Sequence, residues 1–255
     1  MSNTIYYTVW AVCHCAAYIV GLSYPHLQTP ETGMLWVGLV VTSLSAAGCY
    51  YLASTSDPGY LPIATPTALA PSDETIAAAP HLYCSTCNIY PRPLRSKHCR
   101  TCDRCVERFD HHCPMIANCV GKKNAPYFWG FTVHQCLNLL CAFGFVLADL
   151  RTDPYPQWRR PIAYDIPREY VVYALSLVLF NFFCLAFGFA FSVTYWLVQN
   201  VTTNERINQA RYSYFHQGES RFDKGPWHNV LVYFNLVSED TDPLSLENSL
   251  QHHQP

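Results

Sequence analysis

Cys84-Ser-Thr-Cys87, Lys97-His98-Cys99-Arg100-Thr101-Cys102-Asp103-Arg104-Cys105 and Asp110-His111-His112-Cys113-Pro114, closing at Cys119, form the stretch that decides the architecture. Seven of the chain's 13 cysteines fall inside it, with His98, His111 and His112. Zinc takes four tetrahedral ligands from thiolate and imidazole, and a Cys-x-x-Cys knuckle supplies two of them at a suitable bite. The repeated knuckles therefore read as metal sites rather than as buried packing thiols. A disulfide framework fits poorly, because no basic segment of a cleavable signal peptide precedes the first apolar run. Two structural zincs consume eight of these ten ligands. Two groups are left over.

Spacing does not say which two. If they are His111 and Cys113, an imidazole sits near a thiol with the Asp110 carboxylate beside them, the set that nucleophilic catalysis requires. A zinc ribbon is the competing arrangement. There Cys84, Cys87, Cys99 and Cys102 hold one metal, while Cys105, a histidine, Cys113 and Cys119 hold the other, giving a non-catalytic, membrane-anchored interaction module. A RING-type arrangement fits less well, because five residues separate Cys113 from Cys119 where a closing Cys-x-x-Cys belongs.

Outward from this island the chain turns apolar. Of its 255 residues only 13% are charged, while 50% are hydrophobic and 15% aromatic, a balance that suits a bilayer better than a soluble domain. Net charge near −2 gives no sign of a nucleic-acid surface, and no nucleic-acid partner is expected. Four runs, Ile5–Leu22, Met34–Ser54, Tyr127–Ala148 and Tyr170–Gln199, approach the roughly 20 residues that a helix needs to cross the hydrocarbon core. The first is short and carries Cys13, His14 and Cys15, so an interfacial helix is its alternative. Basic residues set the orientation: twelve lie in the island and the C-terminal tail, against four in the loop after the third run. Both termini and the island are thus expected in the cytosol.

The expectation is an all-α polytopic membrane protein with about four spans. Residues 1–60 carry spans one and two, 61–81 a Pro- and Ala-rich linker, 82–126 the zinc-binding module, 127–200 spans three and four, and 201–255 a cytosolic tail. His134, Asn138 and Asn181 are polar groups inside spans, expected to pack against other helices, with cavity lining as the alternative.

The island resembles the cysteine-rich domain of the DHHC protein S-acyltransferases, the palmitoyltransferases. Asp110-His111-His112-Cys113-Pro114, Asn118-Cys119-Val120-Gly121 and Asn124-x3-Phe128 carry the resemblance. Asp57-Pro58-Gly59, Thr202-Thr203-Asn204-Glu205 and the aromatic patch around Asn229 agree in order and placement. The wording around Arg95-Ser96-Lys97-His98-Cys99 is most similar to the ankyrin-repeat-bearing branch, although no ankyrin repeat lies within these residues.

The resemblance implies one zinc on Cys84, Cys87, His98 and Cys105, and another on Cys99, Cys102, His112 and Cys119. It implies Cys113 as nucleophile, His111 as base and Asp110 as the group orienting it. Palmitoyl-CoA or another long-chain acyl-CoA is then the cosubstrate, with its acyl chain in an apolar cavity between helices next to Cys113. Cysteine-containing proteins are the acceptors, and the lipid bilayer is the setting, in the Golgi or ER. Thr203 is expected to brace Asp110, and Asn229 to pack the tail. Arg92, Arg95 and Lys97 are expected at the CoA phosphates, with Lys122 and Lys123 as further candidates. Asp57-Pro58-Gly59 is read as a turn without chemistry. One departure stands out: Met115 follows Pro114 where the family usually has Trp.

Overall fold

The structure, a computed structural model, describes residues 30–63, 72, 74, 82–151, 168–216, 218–239 and 241. The run Ile5–Leu22 and most of the 61–81 linker lie outside the described residues. Among the described residues three long helices dominate: α1 (Pro30–Thr55), α2 (Ala125–Arg151) and α3 (Arg168–Val198). Each contains a stretch long and apolar enough to cross a membrane, over Thr32–Thr55, Ala125–Ala148 and Tyr173–Val198. These match the second, third and fourth apolar runs to within a few residues.

The all-α expectation needs amending. Between α1 and α2 the chain forms β1 (Lys97–Cys99) paired antiparallel with β2 (Arg104–Val106), and β3 (His111–Cys113) with β4 (Asn118–Val120). After α3 come α4 (Thr203–Asn208), a 3-10 turn at Gln209–Arg211, the hairpin β5 (Phe215–His216) with β6 (Glu219–Ser220), and α5 (Pro226–Tyr233). Strands this short carry no alternating apolar face for a sequence reading to detect. The first two hairpins hold the pairs His98–Cys105 and His112–Cys119 at fixed separation.

The chain divides into two compact units, residues 1–50 with 129–192, and residues 51–128 with 193–255. In the first, α1 and α2 approach through small residues. A Cβ on Gly130 would lie 2.8 Å from the Cys49 sulfur, and one on Gly38 would lie 3.0 Å from the Cys141 sulfur. Such close approach is how apolar helices associate where lipid removes the hydrophobic drive between them. Asn138 is buried there and donates to Leu39 O, Thr42 Oγ1 and Ser43 Oγ, so packing, not cavity lining, is its place. His134 and Asn181 instead donate to carbonyls of their own helices, Gly130 O and Leu177 O. Most described apolar side chains of α3, such as Leu177, Phe182 and Leu185, are exposed, as a lipid-facing surface requires.

In the second unit the end of α1 is closed by two asparagines. The last four carbonyls of a helix lack partners within it. Asn118 Nδ2 donates to Ala53 O and Ser56 O at 3.2 and 2.9 Å, and the wholly buried Asn124 donates to Ala53 O at 3.0 Å. Asp57 Oδ1 then accepts the Gly59 and Tyr60 amides, which makes Asp57-Pro58-Gly59 a turn, as expected. Gly121 lies where two segments nearly touch. A Cβ there would come within 2.5 Å of both Pro58 O and Val106 Cγ1. Gly121→Ala is therefore expected to cost about 1–3 kcal/mol and lower the thermal midpoint in detergent by roughly 5 °C. Gly188→Ala, with nothing within 4 Å of the added carbon, is expected to leave that midpoint unchanged or raised.

Candidate active site and metal centres

Successive side chains of a strand point to opposite faces. In the first hairpin His98 and Cys105 are cross-strand partners, so both reach one side. Cys84 and Cys87 meet them there. The His98 Nδ1 lies 3.6, 3.4 and 4.0 Å from the sulfurs of Cys84, Cys87 and Cys105. Cys99, next along β1, turns the other way and joins Cys102 of the connecting turn. In the second hairpin His112 and Cys119 are again cross-strand partners. The His112 Nδ1 lies 3.8, 3.4 and 3.6 Å from the sulfurs of Cys99, Cys102 and Cys119, and Cys102 and Cys119 sulfurs are 3.5 Å apart.

These are the edges of two tetrahedra. With Zn–S about 2.3 Å and Zn–N about 2.0–2.1 Å, a four-coordinate zinc requires S···N edges near 3.5 Å and S···S edges near 3.8 Å. Both sets, Cys84/Cys87/His98/Cys105 and Cys99/Cys102/His112/Cys119, converge within 4.8 Å and fit such an ion. All eight groups suit thiolate–imidazole coordination, with no position left for a reacting molecule. His98 Nε2 faces Asp103 Oδ1 at 3.4 Å, the outer carboxylate that fixes a ligating imidazole. The interleaved grouping separates these sets from the zinc-ribbon grouping, in which Cys113 would have been consumed.

The same alternation acts on β3. His112 points into the second cluster, so His111 and Cys113 share the opposite face. The Cys113 thiol is buried and hydrogen-bonded to His111. His111 Nδ1 lies 2.5 Å from Asp110 Oδ2, and its ring stands edge-on to Phe128 at 5.4 Å. Asp110 Oδ1 in turn accepts the backbone N–H of Thr203 at 2.7 Å. Thr203 thus braces Asp110, through its amide rather than its hydroxyl. Burial alone would lower the His111 pKa, but its hydrogen bonds to Asp110 and Cys113 outweigh it and hold it at about 9. Burial likewise would raise the Cys113 thiol. The hydrogen bond to His111, with those from the Ile116 and Met115 amides, brings it below its ordinary value instead. Cys113, His111 and Asp110 are thus brought together on one face, with the imidazole placed to favour ionisation of the thiol.

The Thr203 amide is aimed by a capping box. Thr202 Oγ1 accepts from Glu205 N, and Glu205 Oε2 accepts from Thr202 N, so α4 starts at a fixed place. Glu205 is also the partner of Arg95, and this overturns one expectation. Arg95 is wholly buried, with its guanidinium donating to Glu205, Glu239, Asn200 Oδ1 and Asn200 O at 2.7–3.0 Å. Burial alone would lower its pKa, but the Glu205 and Glu239 carboxylates raise it above its ordinary value. It has no donor left for a phosphate. Lys97 donates to Asn204 Oδ1 at 2.7 Å from an exposed strand position. Arg92 lines an open cleft of about 240 Å³ together with Ser96, Arg211, Tyr212 and Tyr214. Lys122 and Lys123 are ion-paired with Glu107 and Asp57. Asn229 is fully buried, donating to Val198 O at the end of α3 and to Asp223 Oδ1, which ties α5 back to the last turn of α3. Arg108 closes the other end of α5 by donating to Val232 O and Tyr233 O.

The DHHC palmitoyltransferase domain matches residues 78–210, just over half of the chain. The chain belongs to the DHHC palmitoyltransferase family. Among its DHHC relatives, palmitoyltransferase Hip14 of Drosophila melanogaster is 36% identical over 62% of this chain and 26% of its own length. Palmitoyltransferase ZDHHC17 of Danio rerio is 33% identical over 61% of this chain and 26% of its own length. Palmitoyltransferase ZDHHC18-A of Danio rerio is 33% identical over 84% of this chain and 48% of its own length. The chain thus spans about a quarter to a half of these curated relatives.

Glu205, Glu239, Asn200 and Asn124 escaped the sequence reading as site-supporting residues. Only Glu205 carried a local signal, the Thr-x-x-Glu box. Metal analysis of the purified chain is expected to give two zinc ions per chain. His112→Ala is expected to lose one and loosen the module, because structural zinc binding is folding energy, whereas His111→Ala keeps both. A ratio near one in the unsubstituted chain, or metal loss in His111→Ala alone, would break the interleaved assignment.

Proposed function

We propose that the protein is an S-palmitoyltransferase that carries a long-chain acyl group from acyl-CoA, through a thioester on Cys113, to cysteine thiols of protein substrates. The observation that carries this reading is the pairing of Cys113 with His111 on the face of β3 opposite the metal ligand His112. A spare, buried thiol bonded to an imidazole has no structural task in a zinc module. The palmitoyltransferase names of the relatives support the choice of acyl group.

His111 holds the proton that the Cys113 thiol gives up, and Asp110 keeps the ring oriented, itself held by the Thr203 amide. The Cys113 thiolate attacks the acyl-CoA carbonyl. The carbon–sulfur bond to CoA then breaks, and the departing CoA thiolate takes the proton from His111. In the second half His111 receives the proton of an incoming protein thiol as that sulfur attacks, and the Cys113 thiolate leaves. Zinc supplies structure here, fixing the two hairpins. Arg92 and Lys97, with Arg211 across the cleft, are the groups we assign to the CoA phosphates; Arg95 acts inside, as a strut. The reading places the protein in an endomembrane bilayer, Golgi or ER, with the site toward the cytosol.

Purified protein given palmitoyl-CoA is expected to form an adduct that hydroxylamine removes, and Cys113→Ser to abolish it with two zincs retained. Loss of metal in Cys113→Ser would instead favour the ribbon module. The pH profile tests the pair. In the unsubstituted protein His111 is held charged up to about 9 and Cys113 sits below its ordinary value, so adduct formation is expected to vary less with pH between 7 and 8.5 than in His111→Ala. In His111→Ala the thiol returns toward about 8.5 and transfer slows by about 10²-fold at pH 7. Its rate is then expected to climb tenfold per pH unit toward pH 8.5 and narrow the gap. A His111→Ala profile as flat as the parent's would exclude proton holding by His111.

A further inference from the structure

Asn124-x3-Phe128 belongs to neither metal cluster and holds no proton during transfer, yet its spacing is one helical turn and its two ends meet different parts of the site. The Asn124 side chain is wholly buried. Its Oδ1 accepts the Gly121 amide at 2.9 Å, and its Nδ2 donates to Ala53 O and Cys119 O at 3.0 and 2.7 Å. One side chain thus grips the end of α1 and the last ligand of the second metal cluster. The Asn124 carbonyl then accepts the Tyr127 and Phe128 amides, each at 3.1 Å, which starts α2 at a fixed place. From the side of α5 the Tyr233 hydroxyl donates to Ala125 O at 2.9 Å and holds the same turn.

Phe128 is carried by that turn. Its ring is buried, and its centroid lies 5.4 Å from that of the His111 ring, with the two planes at 71°. Aromatic rings favour this separation and tilt, because the positive edge of one meets the negative face of the other. The contact supplies what the hydrogen bond between His111 and Asp110 lacks. Those two residues are chain neighbours and can turn together, and the ring torsion of a histidine is broad. Phe128 comes from another element, so it holds the ring plane against a reference outside the hairpin.

We propose that Phe128 is a positioning residue for acyl transfer at Cys113, setting the plane of the His111 imidazole from a helical turn anchored by Asn124. The inference rests on the acyl-transfer reading above and adds a residue that acts through His111, not on the acyl chain or CoA. Proton transfer needs the ring nitrogen within hydrogen-bond reach of the sulfur concerned, and small misplacements of such a group slow reaction steeply. An aliphatic side chain would fill much of the same space, yet it has neither edge nor face with which to orient a neighbouring ring.

Full-length protein in lipid nanodiscs, given palmitoyl-CoA, is the test, with Phe128→Leu made both in the parent and in His111→Ala. In the parent, Phe128→Leu is expected to lower the maximal rate of hydroxylamine-sensitive adduct formation by about 10-fold, short of the roughly 10²-fold cost of removing His111. Two zincs are expected to stay, and the palmitoyl-CoA concentration giving half the maximal rate is expected to move less than about twofold. In His111→Ala the same substitution is expected to change the rate by less than about twofold, since the group it positions is gone. An equal loss in both backgrounds, or no loss in the parent, overturns the proposal. So does a loss seen with palmitoyl-CoA and absent with octanoyl-CoA, which would make Phe128 a wall for the acyl chain. Should Phe128→Leu shed metal, Phe128→Met, whose flexible chain fills irregular gaps, takes its place in the same cycle. A parent protein that forms no adduct at all overturns the acyl-transfer reading itself, whereas the outcomes above leave that reading standing.

Discussion

A β-strand cannot present neighbouring residues on the same side, and that constraint organises this site. Across His111-His112-Cys113 it sends the middle residue to a metal cluster and the two outer ones to the opposite face. Across His98-Cys99 it sends one residue to each of two clusters. The hairpins are short because they need only hold these directions. Each contributes one cross-strand His–Cys pair to a cluster, and the first adds a Cys-x-x-Cys arm to the cluster of the second. Removing either cluster would therefore loosen both hairpins, and with them the separation of His111 from His112.

The strand fixes the histidine and the thiol, but Asp110 needs support from far along the chain. That support arrives through a buried charge. Arg95 and Glu205 lie 110 residues apart and meet with almost no solvent exposure, joined by Glu239, Asn200 and Tyr214. A buried ion pair is weak evidence of net stability, since desolvation offsets much of its attraction. Its value here is positional. Glu205 cannot leave Arg95 without stranding a buried guanidinium, and α4 starts from the box that Glu205 completes with Thr202. The first amide of α4 is thereby kept against Asp110. Arg95 acts on the site through three linked steps rather than by touching a ligand.

Much of this was legible before any coordinates. Counting ligands left two groups over, and the apolar runs located three helices to within a few residues. Arithmetic alone could not say which groups were spare, because register decides that and register is set by pairing across a hairpin. The strands themselves were invisible, since three residues are too few to show an alternating pattern. Arg95 was misassigned for a related reason. A basic residue in a basic stretch reads as solvent-facing, and its carboxylate partners, Glu205 and Glu239, lie more than a hundred residues away. Only the second half of that network, Thr202 with Glu205, had a spacing that local rules could detect.

The apolar packing in the second unit explains why metal has to carry so much. Its buried clusters are small: Leu82, Leu94, Tyr214 and Phe222 in one, Cys99, Val106, Phe109 and Cys119 in another. Two of the four members in the latter are metal-cluster sulfurs, so the apolar core and the coordination shell are partly the same atoms. A core of this size does not offset chain entropy alone, which is where metals ordinarily enter small folds. Coordination adds something that apolar contact does not, a fixed direction for each ligand. For a thiol that must face an imidazole, direction matters more than total stability. A softer core of the same free energy would fold the module, yet leave the orientation of Cys113 to fluctuate.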